Sequence, residues 1–295
     1  MKSLVNKKSF NIALVLLSGI LWGTIGIYTT PLNQMGFDSI TVVGIRSLLT
    51  AVMLGVLLLV KDPKLFIIKP KDLWRFFGMG VLSFAFFNIC YMKSMQLNNS
   101  LGTACILMYT SPVFIVVFSK FLFKEKITPL KLFCLIISVV GCAFVSGGGD
   151  VTPLGFVFGI GSGLGYGLYS IFSVYAIKKY SFFTAIFYAF VFSSISLLPF
   201  CDMGKVVSLA VADYSVILLF LGLAFFITVL PYILYTCALR VVPAGEAGVI
   251  SCIEPIIASI VGIMLFGQTM SLISVIGTLM ILCAVIFLAR QKTKL

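Results

Sequence analysis

The chain has no histidine. That absence rules out a Ser-His-Asp arrangement and removes the commonest nitrogen ligand for a transition metal. Negative charge is scarce as well, with nine Asp and Glu against 21 Lys and Arg. Only 10% of residues are charged, where soluble domains carry roughly 25%. The eight cysteines stand singly at 90, 105, 134, 142, 201, 237, 252 and 283 with no C-x-x-C pair, so they read as small apolar helix residues rather than metal ligands. The glycines of Gly159-Ile160-Gly161-Ser162-Gly163 are followed by no Walker lysine and lie inside an apolar run, which excludes a phosphate cradle. No cofactor is expected.

What the chain has instead is apolar length: 61% hydrophobic residues and a mean hydropathy of +1.18. This is the composition of a polytopic membrane protein. Runs long enough to cross a bilayer fall near 10–32, 38–60, 73–95, 101–122, 128–147, 152–176, 181–200, 214–239, 245–266 and 269–290, which predicts ten transmembrane helices and an all-α fold. Lys2, Lys7 and Lys8 precede the first run, yet it is too long for a signal peptide and lacks a small-residue cleavage pattern, so it is expected to be retained.

The net charge of +12 would suggest nucleic acid in a soluble chain. Here the cations fall in short loops. Alternating the loops between two sides puts 18 of them on one face: Lys2, Lys7, Lys8, Lys61, Lys64, Lys69, Lys71, Arg75, Lys120, Lys124, Lys126, Lys131, Lys178, Lys179, Arg240, Arg290, Lys292 and Lys294. Only Lys205 is left in an opposite loop. Positive charge marks the cytoplasmic side, so both termini are expected inside, and no nucleic-acid partner is expected.

The chain also repeats. A shift of 144 lays Ser18-Gly19-Ile20-Leu21-Trp22-Gly23 on Ser162-Gly163-Leu164-Gly165-Tyr166-Gly167, and a shift of 143 lays Ala104–Pro112 on Ala247–Pro255 and Phe123-Lys124-Glu125 on Phe266-Gly267-Gln268. Each unit, 10–147 and 152–290, holds five spans. An odd number of crossings makes the second unit enter from the opposite side, so the halves are expected to be inverted repeats, with any substrate site between them near the midplane.

One stretch concentrates the chemistry. Glu254 and Pro255 lie mid-way along the ninth span, Glu254 about 12 Å beyond Glu246 at 1.5 Å per residue. A carboxylate at the centre of a lipid-facing helix costs roughly 2.5–3.5 kcal/mol, so it is expected to face a protein interior or a watery cavity. Proline removes a helical N–H and frees carbonyls in the turn before it. A structural ion pair with a buried cation is one reading of Glu254, and a binding or coupling site is the other. Ser111 holds the equivalent place in the first half, so the carboxylate belongs to one repeat alone.

With its small-x-x-Trp-Gly opening (Ser18, Gly19, Trp22, Gly23), Arg46, Ala238-Leu239 before Pro243-Ala244-x-x-Ala247, the mid-helix Pro112 and Pro255, and Lys124-Glu125, the sequence resembles the drug/metabolite transporter superfamily, in its ten-helix branch with two tandem EamA-type domains. The resemblance covers nearly the whole chain. It implies a secondary carrier, often an exporter of amino acids or related small metabolites. Gln268 departs from the glutamate expected after the ninth span.

The candidate substrate or coupling residues are Glu254, Trp22, Tyr166, Tyr109, Asn88, Arg46, Tyr91 and Tyr232, with Pro112 and Pro255 as hinges. Trp22 and Tyr166 are repeat equivalents that converge on the pseudo-twofold axis, as packing or as a face for substrate. Arg46 lies deep enough to need a partner, and pairing with helix carbonyls or a carboxylate is favoured over substrate contact. Lys93 is a minor candidate for an anion, and Gly159, Gly163 and Gly167 form a small-residue packing face. The expected protein is an inner-membrane secondary transporter working by alternating access, with small molecules, lipid and protons as partners, and not an enzyme. A sugar-phosphate or nucleotide-sugar carrier, which needs several buried cations, a receptor and a membrane enzyme are the alternatives.

Overall fold

The structure, a computed structural model, describes residues 7–147, 151–267 and 271–290. Gln268 and the charges expected at Lys2, Lys292 and Lys294 lie outside the described residues, as does the side chain of Arg290. Among the described residues the fold is all-helical. Nine helices have the length and apolarity to span a membrane: α1 (Lys8–Gln34), α2 (Ser39–Lys61), α3 (Pro70–Asn98), α4 (Leu101–Phe123), α5 (Pro129–Ser146), α6 (Pro153–Ile177), α7 (Phe182–Phe200), α8 (Tyr214–Ala238) and α9 (Ala244–Phe266). A tenth apolar helix, α10 (Leu272–Arg290), closes the set. The short helix Met203–Ala212 bridges α7 and α8.

The bundle is apolar outside, and its interior sets hydroxyls among apolar side chains. Leu59, Phe121, Phe133, Ile136, Val157 and Met264 are exposed on its periphery, while Ser47, Thr50, Ser83, Ser138, Ser162 and Ser193 are buried. With hydrocarbon as the solvent, apolar burial brings no gain, so small residues and hydroxyls make the helix contacts. Ser47 on α2 meets Ser193 on α7 at 3.1 Å.

Helix pairing obeys a twofold. α2 packs on α7, α5 on α10 and α4 on α9; α3 packs on α6 as α8 packs on α1, and α4 packs on α6 as α9 packs on α1. Each contact maps onto itself or its mate when the halves are exchanged. The halves are also inverted. Lys8, at the start of α1, pairs with Glu246 at the start of α9, whereas Thr152, at the start of α6, bonds Asn98 at the end of α3 through its N–H at 2.9 Å.

The repeat extends to the irregularities. α4 is interrupted after Met108 by a turn at Tyr109 and Thr110, and α9 after Ile250 by a tight turn, Ser251–Ile253. Pro112 and Pro255 open the helical segments that follow, where a missing N–H is harmless. Lys124 and Gly267 end those segments in equivalent left-handed conformations, φ +56° and +63°. α3 and α8 each contain a wide π-helical stretch, Gly78–Ala85 and Phe225–Val229, a distortion that frequently marks functional sites.

Glycine brings the breaks together. A Cβ on Gly163 of α6 would lie 2.9 Å from the Leu107 carbonyl oxygen beside the break in α4. One on Gly23 of α1 would lie 2.7 Å from the Glu254 carbonyl oxygen beside the break in α9. The symmetry fails in one place, because α1 divides into Lys8–Gly23 and Gly26–Gln34 while α6 is continuous. That division lies against the turn carrying Glu254.

Candidate substrate site

The four helices α1, α3, α6 and α8 meet in an aromatic chamber. Trp22 stands 5.2 Å from Tyr232, 5.4 Å from Tyr235 and 6.4 Å from Tyr166, centroid to centroid. Tyr169 meets Tyr232 at 4.8 Å, and Ser83, Phe84, Phe87 and Ser170 complete the lining. The rings meet largely edge to face, the geometry their quadrupoles favour. The space left is about 20 Å³, room for about one water.

Beyond Tyr166 lies a second, tightly packed compartment with no room for a water, between the breaks in α4 and α9, lined by Tyr109, Ser111, Pro112, Gly248, Ser251, Cys252 and Glu254. Tyr166 belongs to both walls, and its hydroxyl donates to Glu254 Oε2 at 3.1 Å. Glu254 takes no part in the ion pairs of the described residues. Its partner is a neutral hydroxyl, so the ion-pair reading of this carboxylate has no support. Other titratable groups within its electrostatic reach are Tyr91, Cys105, Tyr109, Cys142 and Tyr232, none of them a cation.

The candidates read from the sequence divide into three sets. Trp22, Tyr166 and Tyr232 share the chamber; Glu254, Tyr109 and Pro112 share the adjoining compartment; Asn88, Tyr91 and Arg46 stand behind the lining. The Asn88 side chain bonds the Phe84 carbonyl of its own helix at 2.7 Å, and Tyr91 meets Cys105 Sγ at 3.0 Å. Lys93 is exposed and away from the chamber. Arg46 is 7% exposed, its Nε is buried with no hydrogen-bond partner, and its Cζ lies 5.1 Å from the Phe84 ring centre. The expected pairing of Arg46 with carbonyls or a carboxylate is therefore not found. Its helix α2 packs on α7 and α8, and the ion-paired carboxylates of the described residues are engaged with other cations.

Ser83, Phe84, Phe87, Tyr169 and Ser170 escaped selection from sequence. Helical spacing carries a signal for one of them, since Tyr169 follows Tyr166 by three residues on the same face.

Polar contacts tie the halves at both faces. At the cation-rich face Lys8 pairs with Glu246 at 2.7 Å. There Glu125 binds Lys131 at 2.9 Å and accepts the Ala244 N–H that opens α9 at 3.0 Å. Asp72 of the first half takes Lys179 at 3.0 Å and the Tyr180 hydroxyl at 2.8 Å from the second, with Arg75 beside it. At the other face Asn98 holds Thr152, Thr41 Oγ1 accepts the Asp202 N–H at 2.9 Å, and Lys205 reaches the Gly36 carbonyl.

The profile of the EamA-like transporter family matches residues 9–147 and 153–290. An uncharacterized transporter of Archaeoglobus fulgidus is 27% identical over 281 residues, covering 95% of this chain and 96% of its own. The uncharacterized inner membrane transporter YicL of Salmonella typhimurium is 25% identical over 290 residues, with 95% of each chain covered. A crystal structure superposes with a TM-score of 0.76 at 16% identity, covering 95% of this chain and 96% of that one, a likeness of fold. Through a profile that takes in both halves, this multi-pass membrane chain belongs to the EamA-like transporter family, a family of transporters rather than enzymes.

Proposed function

We propose that the protein is a secondary active exporter of amino acids or related small metabolites, in a cell inner membrane with both termini cytoplasmic. The observation that carries this reading is the closed aromatic chamber on the pseudo-twofold axis, joined through Tyr166 to the one carboxylate at membrane depth among the described residues. Aromatic faces suit apolar and cationic groups. Glu254, without a cationic partner, takes either a proton or the ammonium of a substrate, and competition between the two couples export to proton entry.

Transport requires the chamber to open, since about 20 Å³ admits a water and no metabolite. Rocking one five-helix unit against the other around a fixed central site opens one face at a time. The contacts of Asp72, Glu125 and Glu246 are parted in one direction and those of Asn98, Asp202 and Lys205 in the other. The breaks before Pro112 and Pro255 are the hinges. The sugar-phosphate alternative loses ground because Arg46 is the one cation beside the chamber among the described residues, where phosphate charge calls for several.

The test is counterflow in proteoliposomes with a panel of amino acids and related metabolites, with and without an imposed pH gradient. Saturable, gradient-dependent flux of an amino acid supports the reading. Flux of phosphorylated sugars alone overturns it.

A further inference from the structure

A guanidinium that is nine-tenths buried at membrane depth and has no counter-charge is a costly arrangement. Arg46 is such a group. It lies seven residues into α2 from Ser39, about 10 Å along the helix. The carboxylates described all engage other groups: Asp38 the Thr41 hydroxyl, Asp62 the Lys64 N–H, Asp72 the Lys179 cluster, Glu125 Lys131, Asp202 the Lys205 N–H, Asp213 Ser215, Glu246 Lys8 and Glu254 Tyr166. What touches Arg46 is Phe84, a wall of the chamber, and its electrostatic neighbour is Tyr232, another wall. Tyr232 is also within electrostatic reach of Glu254. A cation therefore stands behind the Phe84 wall of the chamber and a carboxylate behind the Tyr166 wall, with Tyr232 within electrostatic reach of both.

We infer that Arg46 is the anchor for the substrate carboxylate, and that Arg46 and Glu254 together make the chamber a dipolar site for a zwitterion. This rests on the amino-acid reading above and adds to it which charge each residue recognises. The substrate carboxylate meets the guanidinium fork, which matches it in two parallel N–H···O bonds. The ammonium replaces the Tyr166 hydroxyl at Glu254, and the apolar side chain lies among Trp22, Phe87 and Tyr235. Phe84, whose ring now lies over Arg46, turns aside as the chamber opens. The wide turn Gly78–Ala85, which carries Phe84, gives that movement a place to occur. The missing counter-charge of Arg46 is thus brought by the cargo, so an empty chamber is penalised and a zwitterion is favoured over either of its singly charged relatives.

The test uses the full chain in nanodiscs with Trp74→Phe, which leaves Trp22 as the single tryptophan and a fluorescence reporter inside the chamber. The tightest binder among the protein amino acids is compared with two relatives of the same side chain, the decarboxylated amine and the deaminated acid. Removing a partner of a buried hydrogen-bonded charge pair weakens binding strongly. In the unsubstituted site each relative is expected to bind at least about tenfold more weakly than the amino acid, the equivalent of about 1.4 kcal/mol. Arg46→Gln is expected to lose about tenfold or more for the amino acid and the deaminated acid while leaving the amine unchanged. Glu254→Gln is expected to spare the deaminated acid.

If Arg46→Gln keeps the preference of the wild-type site for the amino acid over the amine, the anchor assignment fails while the amino-acid reading stands. If no amino acid quenches Trp22 and only amines do, both fall. Should Arg46→Gln fail to fold, Arg46→Lys keeps the charge and removes the fork. A carboxylate preference unchanged in that variant, or equal binding of amine and amino acid to the wild-type site, overturns the inference.

Discussion

Glu254 is the residue on which coupling turns. Its contact with Tyr166 is a hydrogen bond between an acid and a hydroxyl, so Glu254→Gln keeps an acceptor for that hydroxyl and removes the proton. Loss of a single neutral hydrogen bond is worth about 1 kcal/mol, and the variant is expected to fold within about that margin of the wild type. Its flux in proteoliposomes is expected to become independent of an imposed pH gradient, with counterflow of an amino acid weakened by loss of the ammonium contact. Gradient-dependent flux in the variant would remove Glu254 from the coupling mechanism. The groups facing it on α3, α4, α5, α6 and α8 are tyrosines and cysteines, whose ordinary titration lies well above that of a carboxylate. A pH profile centred in the carboxylate or neutral range therefore reports Glu254 and not its neighbours.

Among the helices, α1 and α6 share one task, lying flat against the interrupted turns of α9 and α4. Gly23 does this for α1, with a Cβ there 2.6 Å from Ile257 Cβ. Gly26, three residues on, would have its Cβ 3.7 Å from the nearest atom, on Phe266. Gly23→Ala is expected to push α1 off the Glu254 turn and to destabilise by about 1–3 kcal/mol, the usual cost of overpacking. Gly26→Ala is expected to be neutral or stabilising by about 0.4–1 kcal/mol, because Gly26 opens a helical segment with a backbone that alanine adopts and alanine loses less chain entropy on folding. Thermal unfolding of the two variants in one detergent decides the point. Equal melting temperatures would mean that the close approach of α1 to α9 contributes nothing to stability.

Across the whole molecule the predictions concern orientation and gating. Cys201 lies in the loop expected outside, but its thiol is packed against Gly44 and within 3.4 Å of the Leu197 carbonyl. Burial, with Asp38 beside it, pushes the thiol up to about 11. The thiolate is the reactive form, so labelling of Cys201 in intact cells is expected to be slow at neutral pH and to rise as pH rises towards that value. Gly204→Cys, exposed at the start of the bridging helix with the nearest atom, Asp202 Oδ1, 3.5 Å from a Cβ placed there, is the better reporter. A membrane-impermeant maleimide is expected to reach it from outside, and labelling only after permeabilisation would reverse the assigned orientation. The Asp72 cluster joins the halves at the opposite face. Asp72→Asn keeps the size of the side chain and weakens its hold on Lys179, and it is expected to raise labelling of a cysteine placed at Ser170 from the cytoplasmic side several-fold. Unchanged labelling would show that Asp72 does not seal that face.

Most of the architecture was legible in the chain because each feature depends on a local quantity. Span length follows from bilayer thickness, the expected sidedness from the placement of lysines, and inversion from an odd number of spans in each repeat. The breaks at Pro112 and Pro255 follow from the chemistry of one missing N–H. The approach of Trp22 and Tyr166 was also accessible, since they are repeat equivalents, whereas Glu254 lies beyond Tyr166, away from the Trp22 chamber. Three things came only with the tertiary structure. Which residues stand behind Trp22 is a matter of helix rotation, and apolar spans have nearly uniform hydrophobicity around their circumference, so Ser83, Phe84 and Ser170 gave no signal. The partners of the buried charges depend on atoms far apart in sequence; Glu254 finds a tyrosine 88 residues away, and Arg46 finds an aromatic face. The partition of the centre by Tyr166 rests on where its ring is held, against Trp22, Phe87 and Glu254 on three other helices.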